Sequence, residues 1–208
     1  EILDVTPGTV RVIYNPHYDV RIHELAKAED QYSEALVKSE FTAVAVGRLT
    51  PQKGFDVAIR AIQHAAKEID VRLLILGNGS ERERLERLCE DLGLGERITF
   101  LGQIDNPYKV IADSDVFVSS SRWEGLARAP IEAQALRVPV IATDIDGGIS
   151  ETVLDGRAGI LWAVDDPEAL SHEIIELLKD KTRMSEIVEV ASREIGRFSS
   201  ERAASQYL

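Results

Sequence analysis

Phe41-Thr42-Ala43-Val44-Ala45-Val46-Gly47-Arg48-Leu49-Thr50-Pro51-Gln52-Lys53-Gly54 decides the fold. Its first six residues form a near-continuous apolar run, as a parallel strand buried on both faces requires. Gly47 ends the run and a polar loop follows. From Phe55 the pattern becomes helical, with Phe55, Ala58, Ile59, Ile62 and Ala66 on one face. Strand, short loop and helix in succession are the opening half of a βαβ unit.

The same grammar repeats downstream. Val71 to Leu76 reads as the next buried strand, with Gly77-Asn78-Gly79 as its turn. A charged helix over Ser80 to Leu92 places Leu85, Leu88, Cys89 and Leu92 inward, so Cys89 reads as core filler rather than nucleophile. Further strands are expected at Arg97–Leu101, Asp115–Ser119, Pro139–Thr143 and Gly159–Trp162. Helices are expected at about Asn106–Ala112, from near Pro130 to Leu136, and at Ser150–Val153, Pro167–Leu178 and Arg183–Ile195; Ser199 to Leu208 reads as turn-rich. Upstream, Thr9 to Tyr14 alternates like a strand that Asn15-Pro16 ends. Residues 17–40 read as a polar connecting segment with a helix around Ile22 to Val37. His64 and His172 fall on the polar sides of their helices. Alternating strands and helices with short connections specify an α/β fold: a doubly wound, parallel, Rossmann-like sheet. Ligands in such folds bind beyond the carboxyl ends of the strands, where loops 47–54, 77–80, 119–129 and 144–150 converge.

Composition narrows the function. The chain has 208 residues, 44% apolar and 29% charged, enough to bury roughly 70% of its unfolded surface. One cysteine excludes an internal disulfide. No apolar run reaches the roughly 18 residues of a membrane span, and no signal peptide is visible. A net charge of −12 argues against general nucleic-acid binding and requires local cations wherever an anionic ligand binds.

Ser119 to Glu132, Ser-Ser-Ser-Arg-Trp-Glu-Gly-Leu-Ala-Arg-Ala-Pro-Ile-Glu, supplies the chemistry. Pro130 suits a first helical position. Gly125 lets backbone approach a ligand without a Cβ in the way. The helix N-terminus behind it offers free N–H groups and a positive dipole end to an anion. Glu124 stands at the loop mouth and Glu132 is placed in the first helical turn. Both are suited to hydroxyls, although each also reads as an ordinary loop or helix-start acid. Arg48 and Lys53, five residues apart on a strand-to-helix loop, can neutralise a diphosphate without a divalent metal, by forked and point-charge contacts respectively. They also read simply as solvated loop residues. Other chemistries lack their patterns. Gly77-Asn78-Gly79-Ser80-Glu81-Arg82 has Arg82 where a dinucleotide fingerprint needs its third glycine. There is no P-loop, no metal-ligand spacing and no G-x-S-x-G elbow.

Five motifs then occur in order: Gly47-Arg48-Leu49 with Lys53-Gly54, Leu76-Gly77-Asn78-Gly79, Phe100-Leu101-Gly102, Glu124-Gly125-Leu126 to Glu132-Ala133, and Gly147-Gly148 to Glu151. Together they resemble the C-terminal, donor-binding domain of the retaining GT-B-fold glycosyltransferases called group 1 or family 4, over roughly Val10 to the C-terminus. The resemblance implies that Arg48 and Lys53 hold the donor diphosphate, that Glu124 touches the donor sugar and that Glu132 holds the ribose. It further implies that backbone from Gly125 through Leu126 and Ala127 to Arg128 contacts sugar and phosphate, and that Ile104 borders the base. Gly47, Gly77 and Gly79 complete the substrate-binding set, and Glu124, Arg48 and Lys53 the catalytic one. No metal or other cofactor is implied. The substrate class is a nucleoside diphosphate sugar, a UDP-sugar first and GDP-mannose next, transferred to a glycan or lipid-linked acceptor.

Ala127 and Ser150 depart from the family pattern, and the side chain of Arg128 reads as solvated. On this resemblance, residues 1–40 are a strand and linker belonging with an N-terminal acceptor domain, 41–195 the nucleotide-sugar domain, and 196–208 a C-terminal crossover helix. The expected partners are the donor and that acceptor domain, with no nucleic acid. The expected location is cytoplasmic, extending to the inner membrane face for the full-length protein. The chain alone is expected to bind nucleotide weakly and to transfer nothing. An epimerase or phosphorylase of the same fold, and a degenerate nucleotide-binding module, are the alternatives.

Overall fold

The computed structural model describes residues 12–28 and 39–207. A one-turn helix, α1 (Ile22–Leu25), precedes six strands: β1 (Phe41–Val46), β2 (Val71–Leu76), β3 (Ile98–Gly102), β4 (Val116–Ser119), β5 (Val140–Asp144) and β6 (Ile160–Ala163). They form one sheet in the order β3-β2-β1-β4-β5-β6, and every neighbouring pair is parallel. The fold is the doubly wound α/β sheet expected. The chain winds outward from β1 to β3 and then returns to place β4 on the other side of β1. The crevice between β1 and β4 is therefore the topological switch point.

Successive side chains of a strand point to opposite faces, and here both faces are covered. Ala43, Ala45, Leu73, Ile75, Val116, Val118 and Ile141 pack with helices α2 (Phe55–Ala65), α3 (Arg82–Asp91) and α7 (Pro167–Lys179). Val44, Leu74, Leu76, Phe117, Val140 and Ala142 pack on the other side with α4 (Tyr108–Ala112), α5 (Arg128–Ala135) and α6 (Gly148–Thr152). That double coverage is why the strands are apolar throughout rather than alternating. Cys89 is 5% exposed within the first cluster, and burial, with Glu86 and Glu90 adding to it, pushes its thiol up to about 11.

Several expectations need correction. Helix α5 begins at Arg128, so Pro130 occupies its third position rather than its first, and Glu132 lies in the second turn rather than the first. Residues 9–11 of the expected first strand lie outside the described residues, and Val12 to Tyr14 form no strand. Tyr14 instead donates its hydroxyl to Glu151 at 2.6 Å and packs edge-on against Phe198. The helix expected from Ile22 is described as Ile22–Leu25; residues 29–37 of that stretch lie outside the described residues. At the other end, α8 (Lys181–Glu194) runs through a 3-10 turn, Ile195–Phe198, into α9 (Ser200–Tyr207), so the stretch read as turn-rich is helical. The two ends meet where the Tyr18 N–H donates to the Phe198 carbonyl at 3.0 Å.

Candidate functional site

A cavity of about 820 Å³ opens at the carboxyl ends of β1 and β4. The loop after β1 contributes Gly47, Arg48 and Lys53 to its wall. The loop after β3 and the start of α4 contribute Ile104, Pro107 and Tyr108. From β4 onward come Ser119 to Ser121, Glu124, Leu126, Ala127 and then Arg128, Ala129, Pro130 and Glu132 of α5. Arg48, Gly77 and Ile104 also line an adjoining space of about 280 Å³.

The two cavity loops are pressed together by backbone. Gly54 has φ +59°, and a Cβ there would sit 2.0 Å from the Ser120 carbonyl oxygen, so only glycine allows this approach. Ser120 donates its hydroxyl to the Lys53 carbonyl (2.9 Å), the Arg122 N–H donates to the Gln52 carbonyl (2.8 Å), and Gln52 Nε2 donates to the Trp123 carbonyl (2.9 Å). Arg122 clamps the junction. Its Nη1 and Nη2 donate to the two oxygens of Asp56 at 3.1 and 3.0 Å, Nη1 also reaches the Pro51 carbonyl at 2.7 Å, and Nε reaches Asp165 at 2.7 Å. Burial works to raise the Asp56 carboxyl, but the hydrogen bonds and charge of Arg122 outweigh it and hold Asp56 below the usual carboxylate range.

This clamp sets the charged residues. Lys53 stretches its methylenes over Gly47, whose missing Cβ would lie 3.1 Å from Lys53 Cε. Its Nζ donates to Glu124 Oε1, and Ser121 Oγ donates to the same oxygen at 3.1 Å. Arg48 is exposed at the cavity rim and, among the described residues, makes no side-chain ion pair. The rim therefore presents one unpaired cation beside a cation-carboxylate pair.

Helix α5 aims its N-terminus at the cavity. Ala127 is extended (φ −78°, ψ 120°), and no side chain caps the helix end. Pro130 at the third position has no N–H, which leaves the N–H groups of the preceding residues as the uncapped donors. One turn on, Glu132 is 5% exposed. Its Oε1 accepts from Tyr108 Oη at 2.9 Å and from Arg128 Nε at 2.8 Å. Arg128 is thus an ion-pair partner of Glu132, while its side chain stays 65% exposed, as the solvated reading expected. The charge of Glu132 raises the Arg128 guanidinium further, while burial and then Glu132 raise the Tyr108 phenol, so Tyr108 stays an O–H donor.

Of the residues singled out in sequence, Gly47, Arg48, Lys53, Ile104, Glu124, Leu126, Ala127 and Glu132 share the cavity wall. Gly125 is exposed just outside that wall, with open space where a Cβ would lie. Gly79 lines neither space. A Cβ at Gly79 would meet the Leu49 carbonyl oxygen at 2.3 Å, and one at Gly77 the Gly47 carbonyl oxygen at 1.9 Å, so both glycines let the loop after β2 close onto the loop after β1. Sequence reading missed Tyr108, Ser121 and Arg122. Tyr108 carried a usable signal, an aromatic residue opening a helix at the carboxyl end of the sheet. The partners of Arg122 are far apart in sequence and gave none.

The family model of glycosyl transferases group 1 matches residues 26–194. The N-acetyl-alpha-D-glucosaminyl L-malate synthase of Bacillus anthracis is 29% identical over 202 residues, covering 95% of this chain and 52% of that protein. The GDP-mannose-dependent alpha-(1-6)-phosphatidylinositol monomannoside mannosyltransferase of Mycolicibacterium smegmatis is 36% identical over 152 residues, covering 67% of this chain and 39% of that protein. The crystal structure of Anabaena HepE in complex with UDP matches with a TM-score of 0.83 at 25% identity, over 95% of this chain and 56% of that one. The chain thus spans about half of these proteins or less. No helix among the described residues is long and apolar enough to cross a membrane.

Proposed function

The chain belongs to the group 1 glycosyltransferases, and from that membership we propose that it is the donor-binding half of a retaining enzyme that transfers a sugar from a nucleoside diphosphate. The observation that carries the reading is that one cavity at the switch point is lined by Arg48, Lys53, Glu124, Glu132 and the uncapped start of α5. Arg48, Lys53 and the free N–H groups at the start of α5 take the diphosphate. Glu124 takes hydroxyls of the donor sugar, Glu132 those of the ribose, and Ile104 borders the base.

As the bond between the anomeric carbon and the diphosphate oxygen breaks, negative charge grows on the leaving nucleotide. Cations and amide N–H groups already in place stabilise that charge without reorganisation. Two cations make a divalent metal dispensable in this reading. A uridine nucleotide is the first choice of donor, supported by the UDP in the HepE complex; GDP-mannose is the second. The acceptor, a glycan or lipid-linked sugar, is bound by a further domain, and this chain by itself binds nucleotide without transferring sugar. On this reading the full-length protein is cytoplasmic, extending to the inner face of the membrane.

Thermal-shift measurements with UDP, GDP and ADP, each with and without EDTA, test the proposal. At least one nucleotide should raise the melting temperature of the wild-type chain, EDTA should leave the shift in place, and Lys53→Ala should abolish or sharply reduce it. No shift with any of the three would favour a degenerate module instead.

A further inference from the structure

The hydrogen bonds of Glu132 are lopsided. Both protein donors, Tyr108 Oη at 2.9 Å and Arg128 Nε at 2.8 Å, converge on Oε1. Oε2 accepts nothing from the described residues and is not among their buried orphan atoms, and Glu132 lines the cavity. A carboxylate at 5% exposure is costly to keep unless its lone pairs are used. An oxygen held by two donors and another held by none is the arrangement expected of a carboxylate oriented for an outside donor. The two donors come from separate elements, α4 and α5, so the carboxylate is braced from two directions. Tyr108 is half-buried in the wall, and Arg128, four residues before Glu132 on the same helical face, reaches it from the solvent side.

We infer that Tyr108 and Arg128 are positioning residues: they saturate Oε1 of Glu132 so that Oε2 is presented, in one fixed orientation, to a hydroxyl of the bound nucleotide. The inference rests on the proposed role of Glu132. It adds that discrimination between ribose and a sugar lacking its hydroxyls depends on side chains that do not themselves touch the ligand. A site that hydrogen-bonds a hydroxyl penalises the analogue without it, because the site's polar group is then left unpaired. A carboxylate free to swing would relax that penalty.

The test is calorimetric titration of the wild-type chain and three variants, Tyr108→Phe, Arg128→Met and Glu132→Gln. The ligands are whichever of UDP, GDP and ADP binds the wild type most tightly and the 2′,3′-dideoxy form of that nucleotide. The wild type should prefer the ribonucleotide by about tenfold, the scale of one well-made hydrogen bond. Tyr108→Phe should cut that preference to about threefold or less through weaker ribonucleotide binding, with dideoxynucleotide binding changed less than twofold. Arg128→Met, a change at a side chain 65% exposed, should do the same without threatening the fold. Equal loss of both ligands in these variants, or an intact preference, overturns the inference. Preference lost in Glu132→Gln but kept in both brace variants sinks the inference alone. Preference kept in Glu132→Gln, or absent in the wild type, removes the ribose role of Glu132 and the inference with it.

Discussion

Lys53 and Glu124 are paired to each other in the cavity wall, Nζ to Oε1, which ties the loop after β1 to the loop after β4. A diphosphate arriving at Lys53 must therefore compete with, or share, a cation that already has a carboxylate. Ser121 Oγ donates to the same carboxylate at 3.1 Å. The pair joins the two loops that wall the cavity.

The side chains of this pair are 22% and 11% exposed, which puts it between a surface ion pair, worth about 0–1 kcal/mol, and a fully buried one, costing about 3–5 kcal/mol to break. Lys53→Ala should destabilise the chain by about 1–2 kcal/mol, because it leaves Glu124 charged and half-satisfied. Glu124→Gln on that background should recover part of the loss. Urea titrations of the wild type, both single variants and the double variant measure the coupling; additivity within about 0.3 kcal/mol would show that the contact carries no energy.

Arg122 makes a pH-dependent prediction. The depressed Asp56 carboxyl contributes stability that is present above its unfolded value, near 4, and is lost as pH falls through its lower folded value. Arg122→Ala removes the forked contact and leaves burial, which raises the carboxyl, far less opposed. The variant should lose about 2–3 kcal/mol at pH 7, the scale for breaking a partly buried charge network. The gap from wild type should narrow as pH drops from 5 to 3, because Asp56 then protonates in the variant first. Chemical denaturation at several pH values checks this, and a gap that stays constant or widens toward pH 3 contradicts it.

Arg72 lies on the inner strand β2 at 3% exposure. Its Nε donates to Thr42 Oγ1 at 3.1 Å, its Nη2 has no partner, and burial lowers its guanidinium from the usual value. A buried charge without a bonded carboxylate is a cost rather than a support. Arg72→Met, similar in length and apolar, should raise the melting temperature by several degrees, equivalent to about 1 kcal/mol. A drop of the same size would mean that the fields of Asp70 and Asp115 compensate the guanidinium fully.

Legibility followed range. The strand Phe41–Val46 and the glycine loop after it were readable because each signal lies within a few residues, and the parallel fold follows from their repetition. The cavity was readable as far as the topology predicts which loops converge. The start of α5 was misplaced by two residues because Pro130 is compatible with any position in the first turn, and the shift carried Glu132 from the first turn to the second. Arg128, four residues before Glu132, and Ser121, three before Glu124, lay within local reach, but the long-range pairings of these two acids were not legible. Tyr108 meets Glu132 across 24 positions and Lys53 meets Glu124 across 71, and no local pattern encodes those distances. Arg122 bridges 66 positions to Asp56, so the clamp that fixes the site appears only once the chain is folded.

Two glycines near Glu124 separate folding from binding. At Gly147, φ is +138° and an added Cβ would sit 2.4 Å from the Glu124 carbonyl oxygen. Gly147→Ala must therefore displace the backbone that carries Glu124, costing about 1–3 kcal/mol of strain and nucleotide-sugar binding with it. At Gly125 the same substitution meets open space, with nothing within 4 Å. Gly125→Ala should fold with wild-type stability to within about 0.5 kcal/mol. If donor phosphate or sugar approaches that backbone, the Cβ occupies the ligand's space, and affinity should fall about tenfold or more with no change in melting temperature. Parallel melting curves and donor titrations decide the matter: unchanged affinity in Gly125→Ala would place the ligand elsewhere along the loop, on Leu126 and Ala127, which line the cavity.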